Sequence, residues 1–162
     1  MVQSAQVPAI SIRPINEDDL ELLFAWRSDL EVIMYMPSLP RVPTWEEHMR
    51  WWKRGAEHHD WMVSMSDQDG VRRVGQTHFW PSTGEIGLII GDKSTWGKGI
   101  GTEALKITID YPIIQDYLKE HDFIWTVAHP ENERSQRLFT RVGFVKVGEG
   151  RNGQVRLEYR KE

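Results

Sequence analysis

Three glycines at alternating positions are the residues whose spacing most clearly indicates chemistry. Gly97, Gly99 and Gly101 lie within residues 96–103, directly after an apolar segment and at the start of a predicted helix. Glycine has no side chain, so the backbone N–H groups of such a loop can approach a ligand closely. A helix N-terminus adds partial positive charge, and the combination predicts a cradle for a phosphate or pyrophosphate group.

This loop matches neither of two common phosphate-binding motifs. A P-loop places Lys-Ser or Lys-Thr after its last glycine, whereas Gly101 is followed by Thr102 and Glu103. A dinucleotide-binding fold places its glycines after the first strand, and here several predicted strands come before them. Lys98 and the Thr102 hydroxyl would still add a charge and a donor. The alternative is a glycine-rich turn that only begins a helix.

The elements that position this loop are predicted from periodicity and turn residues. Strands are predicted at residues 11–15, 61–66, 72–80, 85–90, 123–128, 145–148 and 154–160. Helices are predicted from Asn16 to about Asp29, from the capping box at Thr44 to about Glu57, from the glycine loop to about Leu118, and over residues 131–142. Pro112 lies inside the third helix and would either kink it or end its first half. This order predicts an α+β fold with a mostly antiparallel sheet and a parallel crossover in its middle.

Composition narrows the class of protein. A chain of 162 residues is typical of a single domain, here residues 1–162. The absence of cysteine excludes a disulfide framework, a thiolate zinc site and a cysteine nucleophile. The net charge of −4 argues against nucleic-acid binding, and no apolar run approaches the ~18 residues of a membrane span. Without a signal peptide pattern at the N-terminus or a metal-binding histidine spacing, we expect a cytoplasmic protein without a catalytic metal.

Two motifs in the same order resemble the GNAT superfamily of N-acetyltransferases. Residues 96–101 are similar to its acyl-CoA loop, Gln/Arg-x-x-Gly-x-Gly/Ala, with Trp96 in the first position. That replacement is common in the branch that resembles ribosomal-protein N-acetyltransferases. The sequence is closest in style to this branch and to the aminoglycoside N-acetyltransferase-like branch. Downstream, Asn132, Ser135 and residues 138–144 are similar to the family's N-x-x-S/A…GF helix.

The resemblance implies a fold, a cofactor and a set of contacts. The fold is a twisted, mostly antiparallel sheet with helices on both faces and a central parallel strand pair that splays apart. The cofactor is acetyl-CoA, with its pantetheine arm in the gap. The implied cofactor contacts are Leu88, Ile89, Ile90, Trp96, Gly97, Lys98, Gly99, Ile100, Gly101, Thr102, Asn132, Ser135 and Phe139.

Acetyl transfer to an amine requires a group that removes a proton. An alkyl ammonium with a pKa near ~10.4 costs roughly 4–5 kcal/mol to deprotonate at pH 7. Glu85, at the start of a predicted strand, is the first candidate for the general base, unless it is only a solvated turn residue. His78 and His129 are the alternatives. Phe139 stands where many family members have a tyrosine that protonates the departing thiolate, so water, Tyr35 or another residue would replace it, or the thiolate would leave unassisted.

The acceptor site is predicted from aromatic residues in the first half of the chain. Tyr35, Trp45, Trp52 and His78 are the candidate substrate-binding residues, with Glu46 and Glu47 as counter-charges. An aromatic and acidic wall favours a cationic amine, whereas the alternative is that these tryptophans are core residues.

These observations predict an acetyl-CoA-dependent N-acetyltransferase that acts on a protein N-terminus or a small cationic amine. The first alternative is aminoglycoside acetylation, which Val127 and Ala128 weaken because they stand where such enzymes often have an aspartate. The second is a CoA-binding regulatory module without turnover. We expect a small-molecule or peptide amine as the substrate and no binding to nucleic acid or membranes. The sequence is compatible with a homodimer.

Overall fold

The computed structural model describes residues 8–36 and 41–162, and within them seven strands form one sheet. The spatial order is β1-β2-β3-β4-β5-β7-β6, and every neighbouring pair is antiparallel except β4 and β5. The strands are β1 (Ala9–Pro14), β2 (His59–Asp67), β3 (Gly70–Trp80), β4 (Glu85–Ile90), β5 (Ile124–Ala128), β6 (Val145–Glu149) and β7 (Val155–Tyr159). The mixed α+β architecture expected from the sequence is therefore confirmed.

The helices begin and end largely where local signals predict. They are α1 (Leu20–Arg27), α2 (Leu30–Ile33), α3 (Trp45–Lys53), α4 (Ile100–Ile109), α5 (Pro112–Glu120) and α6 (Glu133–Val142). The Thr44 hydroxyl caps α3 as predicted, but α3 ends four residues before Glu57, where Gly55 adopts φ +55° in a short 3-10 turn. Of the two options at Pro112, the structure has an end of the first half and not a kink, because proline begins α5 and has no N–H to continue α4. No helix of the described part is long and apolar enough to cross a membrane.

The two faces of the sheet are covered by different helices. On one face, Phe79 and Ile86 pack against Leu105 of α4 and Ile114 of α5 in the main core. On the other, Leu23 of α1 packs with Met62 of β2 and tryptophans of α3. Because strand side chains alternate between faces, the residues of β3 and β4 between these core positions point toward α1 and α3. The second face is the one that carries the candidate acceptor site.

Candidate active site

Strands β4 and β5 meet at one position only and then separate. Glu85 is the only β4 residue in register with β5, opposite Trp125, whose N–H donates to the Gly84 carbonyl at 3.0 Å. Since backbone groups alternate in direction along a strand, this bond shows that Leu88 and Ile90 direct their N–H and C=O groups toward β5. Beyond Trp125 the strands have parted, so these groups point into a wedge-shaped gap.

The gap ends at the glycine loop. The Ile90 carbonyl accepts a hydrogen bond from the Trp96 indole at 2.8 Å, which ties the loop to the last residue of β4. Leu88 and Ile90 thus lie along the gap. Ile89 differs, because its backbone faces Gln76 of β3 and its side chain is buried toward α1.

Two of the three glycines have the conformation of a ligand cradle. Gly97 and Gly99 have φ of +78° and +79°, and an added Cβ at either would meet nothing within 4 Å. Residues other than glycine adopt this conformation only at a cost of about 1–2 kcal/mol. Exposed Lys98 lies between them, and α4 begins directly after Gly99. The open backbone before a ten-residue helix suits a bound anion.

Gly101 has another role, which corrects the interpretation that all three glycines admit a ligand. It is buried, and an added Cβ would lie 2.6 Å from Leu138 Cδ1 and 3.2 Å from Leu88 Cδ1. Gly101 therefore lets α6 and β4 pack closely against α4. Ile100 is likewise a core residue beside Ala104, and Thr102 is partly buried in the first turn of α4.

The residues of α6 mostly have structural partners. Asn132 Oδ1 accepts from the Ser135 N–H at 3.2 Å and caps the helix. The Phe139 ring is buried, with its centroid 5.0 Å from that of Phe144. A contact that sequence reasoning missed is the Arg134 guanidinium, 4.7 Å from the centroid of the Trp96 ring. No local pattern could have shown it, because the two residues are 38 positions apart.

Glu85 is held in an ion pair. Its side chain is 17% exposed, and its Oε1 lies 2.7 Å from Nη2 of Arg151 in the turn between β6 and β7. Glu85 is therefore not a solvated turn residue. To accept a proton from a substrate at Oε1, Glu85 would have to release Arg151.

His78 lies over the strand that borders the gap. It is in register with Gly87, and an added Cβ on Gly87 would lie 2.5 Å from Cε1 and 2.7 Å from Nε2 of the imidazole. The ring therefore fills the space that the missing side chain leaves, one residue before Leu88. Burial lowers the pKa of His78 below 6.5, so the imidazole is neutral at pH 7 and has a lone pair that can accept a proton.

A buried polar cluster surrounds His78 on the same face. The Asp60 carboxylate contacts His58 Nδ1 and accepts from Gln76 Nε2 at 2.7 Å. The side chains of His58 and Asp60 are 3% and 6% exposed, and the hydrogen bond to Asp60 raises the pKa of His58. The sequence showed adjacent histidines here, but not that one of them pairs with a buried carboxylate.

An arginine completes this cluster. The ring centroid of Trp51 lies 5.2 Å from that of His58 and 3.8 Å from the guanidinium carbon of Arg27. Arg27 was not a candidate in the sequence, because its partner Trp51 lies on another helix.

The predicted aromatic and acidic wall is not assembled. Trp45 is 42% exposed and contacts Phe24 edge-on, whereas Trp52 packs against the core beneath α1. Glu47 is bound by Thr44 and by both Nη atoms of Arg41, so its charge is compensated. Tyr35 lies elsewhere, with its ring centroid 5.1 Å from that of His129, which directly follows β5.

A family model described as an acetyltransferase (GNAT) domain matches residues 10–145. The chain belongs to the GNAT acetyltransferase family. The family that the two sequence motifs predicted is therefore confirmed.

The chain is also similar to a relative in sequence and to two solved structures. An uncharacterised protein of Methanocaldococcus jannaschii is 32% identical over 148 residues, which are 90% of this chain. The chain spans only 30% of that relative's length. A crystallised domain from Methanocaldococcus jannaschii is 30% identical with a TM-score of 0.83 and covers 95% of this chain and 99% of its own. An aminoglycoside acetyltransferase, crystallised with coenzyme A, has a TM-score of 0.77 at 17% identity, and the match covers 94% of this chain and 95% of that one.

Proposed function

We propose that this protein transfers an acetyl group from acetyl-CoA to a primary amine, a protein N-terminus or a small molecule. The observation that carries the proposal is the gap between β4 and β5, which leads from the Glu85–Trp125 contact to the open glycine loop. An extended pantetheine arm would pair with the Leu88 carbonyl and the Ile90 N–H as a partial strand. Its pyrophosphate would lie on the N–H groups at Gly97 and Gly99, near Lys98 and the N-terminus of α4. The similar aminoglycoside acetyltransferase was crystallised with the same cofactor.

We assign a structural role in the cofactor site to three residues of the α6 segment, Asn132, Ser135 and Phe139. The first two fix the N-terminus of α6, and Phe139 packs the helix onto the core. Phe139 has no proton to give to the departing thiolate. Tyr35, beside His129 after β5, is the hydroxyl that we place at that step.

His78 and Glu85 compete for the role of base, and the geometry favours His78. The imidazole lies directly over Gly87 beside the gap, and its lowered pKa keeps it neutral at pH 7. Glu85 must first release Arg151. In the proposed reaction His78 removes the proton of the acceptor nitrogen, while the Leu88 N–H donates to the developing negative charge on the acetyl oxygen.

The test is thiol release from acetyl-CoA with a panel of primary amines. The panel should contain a peptide with a free N-terminus, a polyamine, an aminoglycoside and several amino acids, with CoA affinity measured in parallel. Thiol release that depends on one class of amine supports the proposal. CoA binding without release for any amine indicates instead a CoA-binding module without turnover.

A further inference from the structure

Arg27, the last residue of α1, is a half-buried cation without a direct ionic partner among the described residues. Its guanidinium stacks on Trp51 at 3.8 Å. Among the described residues it makes no ion pair, and its buried Nε has no hydrogen-bond partner. Burying a charge is costly unless the charge is paired. A guanidinium kept in this position is therefore arranged for an anion that the chain itself does not supply.

The carboxylates nearby are already committed. Asp60 is bound by His58 and Gln76, and its hydrogen bond raises the pKa of His58. Glu85 is neutralised by Arg151. Burial lowers the pKa of Arg27 to about 10, which still leaves it charged at pH 7. None of these carboxylates is bound directly to the Arg27 guanidinium.

Other arginines that stack on aromatic rings show the contrast. Arg54 lies over Trp80 and pairs with Glu57 at 2.9 Å. Arg156 lies over Trp125 and pairs with Glu158 at 3.1 Å. Arg27 has the same aromatic support without the carboxylate. Its guanidinium also covers the Trp51 face on which a cationic acceptor would otherwise stack.

The position of Arg27 places this charge beside the reaction. Trp51, on which Arg27 stacks, also stacks on His58. The partner of His58 is Asp60, which lies opposite His78 in the register of β2 and β3. The ring of His78 lies over Gly87 at the edge of the gap. We infer that the acceptor is a primary amine that also carries a carboxylate, and that Arg27 binds this carboxylate. A guanidinium suits the task because two of its N–H groups can bind both oxygens of one carboxylate. The inference rests on the proposed function and names the acceptor class for the same site.

The experiment compares acceptors that differ only at the carboxylate. Each amino acid is paired with its carboxamide and with the amine that lacks the group, and kcat/KM is measured by thiol release. In the wild-type protein the carboxylate form should exceed its amide by about tenfold or more, as for hydrogen bonds between charged groups. Arg27→Met keeps the packing on Trp51 and should remove the preference. Arg54→Met is the matched control and should retain it.

The outcomes separate the inference from the function on which it rests. Equal rates for acid and amide in the wild-type protein, or a preference that survives Arg27→Met, would overturn the role of Arg27 while leaving acetyl transfer in place. If no amine yields thiol, the proposed function fails. Whether Arg27 binds a carboxylate is then decided by thermal shifts of the CoA complex on addition of the acid or its amide. A shift with the acid but not the amide, lost in Arg27→Met, supports a carboxylate site, and equal shifts refute it. Unchanged CoA affinity and melting temperature in Arg27→Met exclude misfolding.

Discussion

The proposed cofactor side and the proposed acceptor side of the cleft are built in different ways. The cofactor side is a continuous segment from Leu88 to Thr102, and it presents mainly backbone groups and glycines. The acceptor side takes single side chains from separate elements: Arg27 from α1, Trp51 from α3, Asp60 from β2 and His78 from β3. A site formed by the backbone of one segment depends on the conformation of that segment and tolerates substitutions in other elements. A site made of side chains depends on helix packing and strand register, and its charges compensate one another.

The largest effect is expected at the base on the acceptor side. His78→Gln should lower kcat by about 10²–10⁴-fold, the usual contribution of a general base, without changing CoA affinity. The base must be unprotonated, so wild-type kcat/KM should rise with pH through the pKa of His78, which burial holds below 6.5. The same pH series on Glu85→Gln distinguishes the two candidates, because the acidic limb of the pH–rate profile should disappear only when the general base is replaced.

Gly87→Ala tests the same assignment without touching a titratable group. The new methyl group would lie 2.5 Å from the imidazole, so the ring must move. Turnover should fall while His78 remains present. Full activity in a folded Gly87→Ala protein would contradict the proposed position of the ring.

The cofactor side should respond to bulk rather than to charge. Gly99→Trp should raise the CoA dissociation constant at least about tenfold, or 1.4 kcal/mol. Gly55→Trp is the control for backbone strain, because Gly55 also has positive φ and open space around its Cα. Titration of CoA into both proteins checks the prediction, and equal affinities would argue against the phosphate cradle.

Gly101→Leu provides a contrast within the same loop. The buried Gly101 faces Leu138 and Leu88, so the larger side chain should destabilise the fold by about 1–3 kcal/mol through overpacking. Chemical denaturation measures this change. Normal stability would show that α4 and α6 adjust more easily than the contacts indicate.

The pairing of His58 with Asp60 should make stability depend on pH. Because its folded pKa is raised above 6.5, His58 contributes stability that is complete below pH 6.5 and is lost as the pH rises through the folded value. Asp60→Asn should therefore cost about 1.5–3 kcal/mol near pH 6 and less near pH 9. Urea unfolding of both proteins at the two pH values measures the difference. A deficit that does not shrink at high pH would mean that His58 is not charged in the folded protein.

The smallest effect on activity is expected where the aromatic and acidic wall was predicted. Trp45 is largely outside the core, so Trp45→Ala should cost no more than about 1 kcal/mol. Trp52→Ala should cost more, since it removes a ring that packs against the cluster beneath α1. Neither variant should alter acceptor preference. A shift toward neutral amines in either variant would instead support the predicted aromatic and acidic wall. Melting curves and acceptor kinetics on both proteins decide this.

Local signals in the sequence were sufficient for most of the fold and for the cofactor loop. The capping box at Thr44, the break at Pro112 and the glycine that ends α6 each act within a few residues, so they can be recognised without any knowledge of packing. The positive φ of Gly97 and Gly99 belongs to the same category. The family motifs added the order of strand, loop and helix, which the structure repeats.

Only the tertiary structure decided which side chains share the acceptor site. Glu85 meets Arg151 across 66 positions of sequence, and His78 lies over Gly87 because of the register between β3 and β4. Gly101 looks like its neighbours in the sequence, but the packing of α6 gives it a different role. Arg27 appears as an ordinary residue at the end of a helix until α3 places Trp51 against it. Periodicity and capping fix where elements begin and end, but the partners of a charge depend on how distant elements pack.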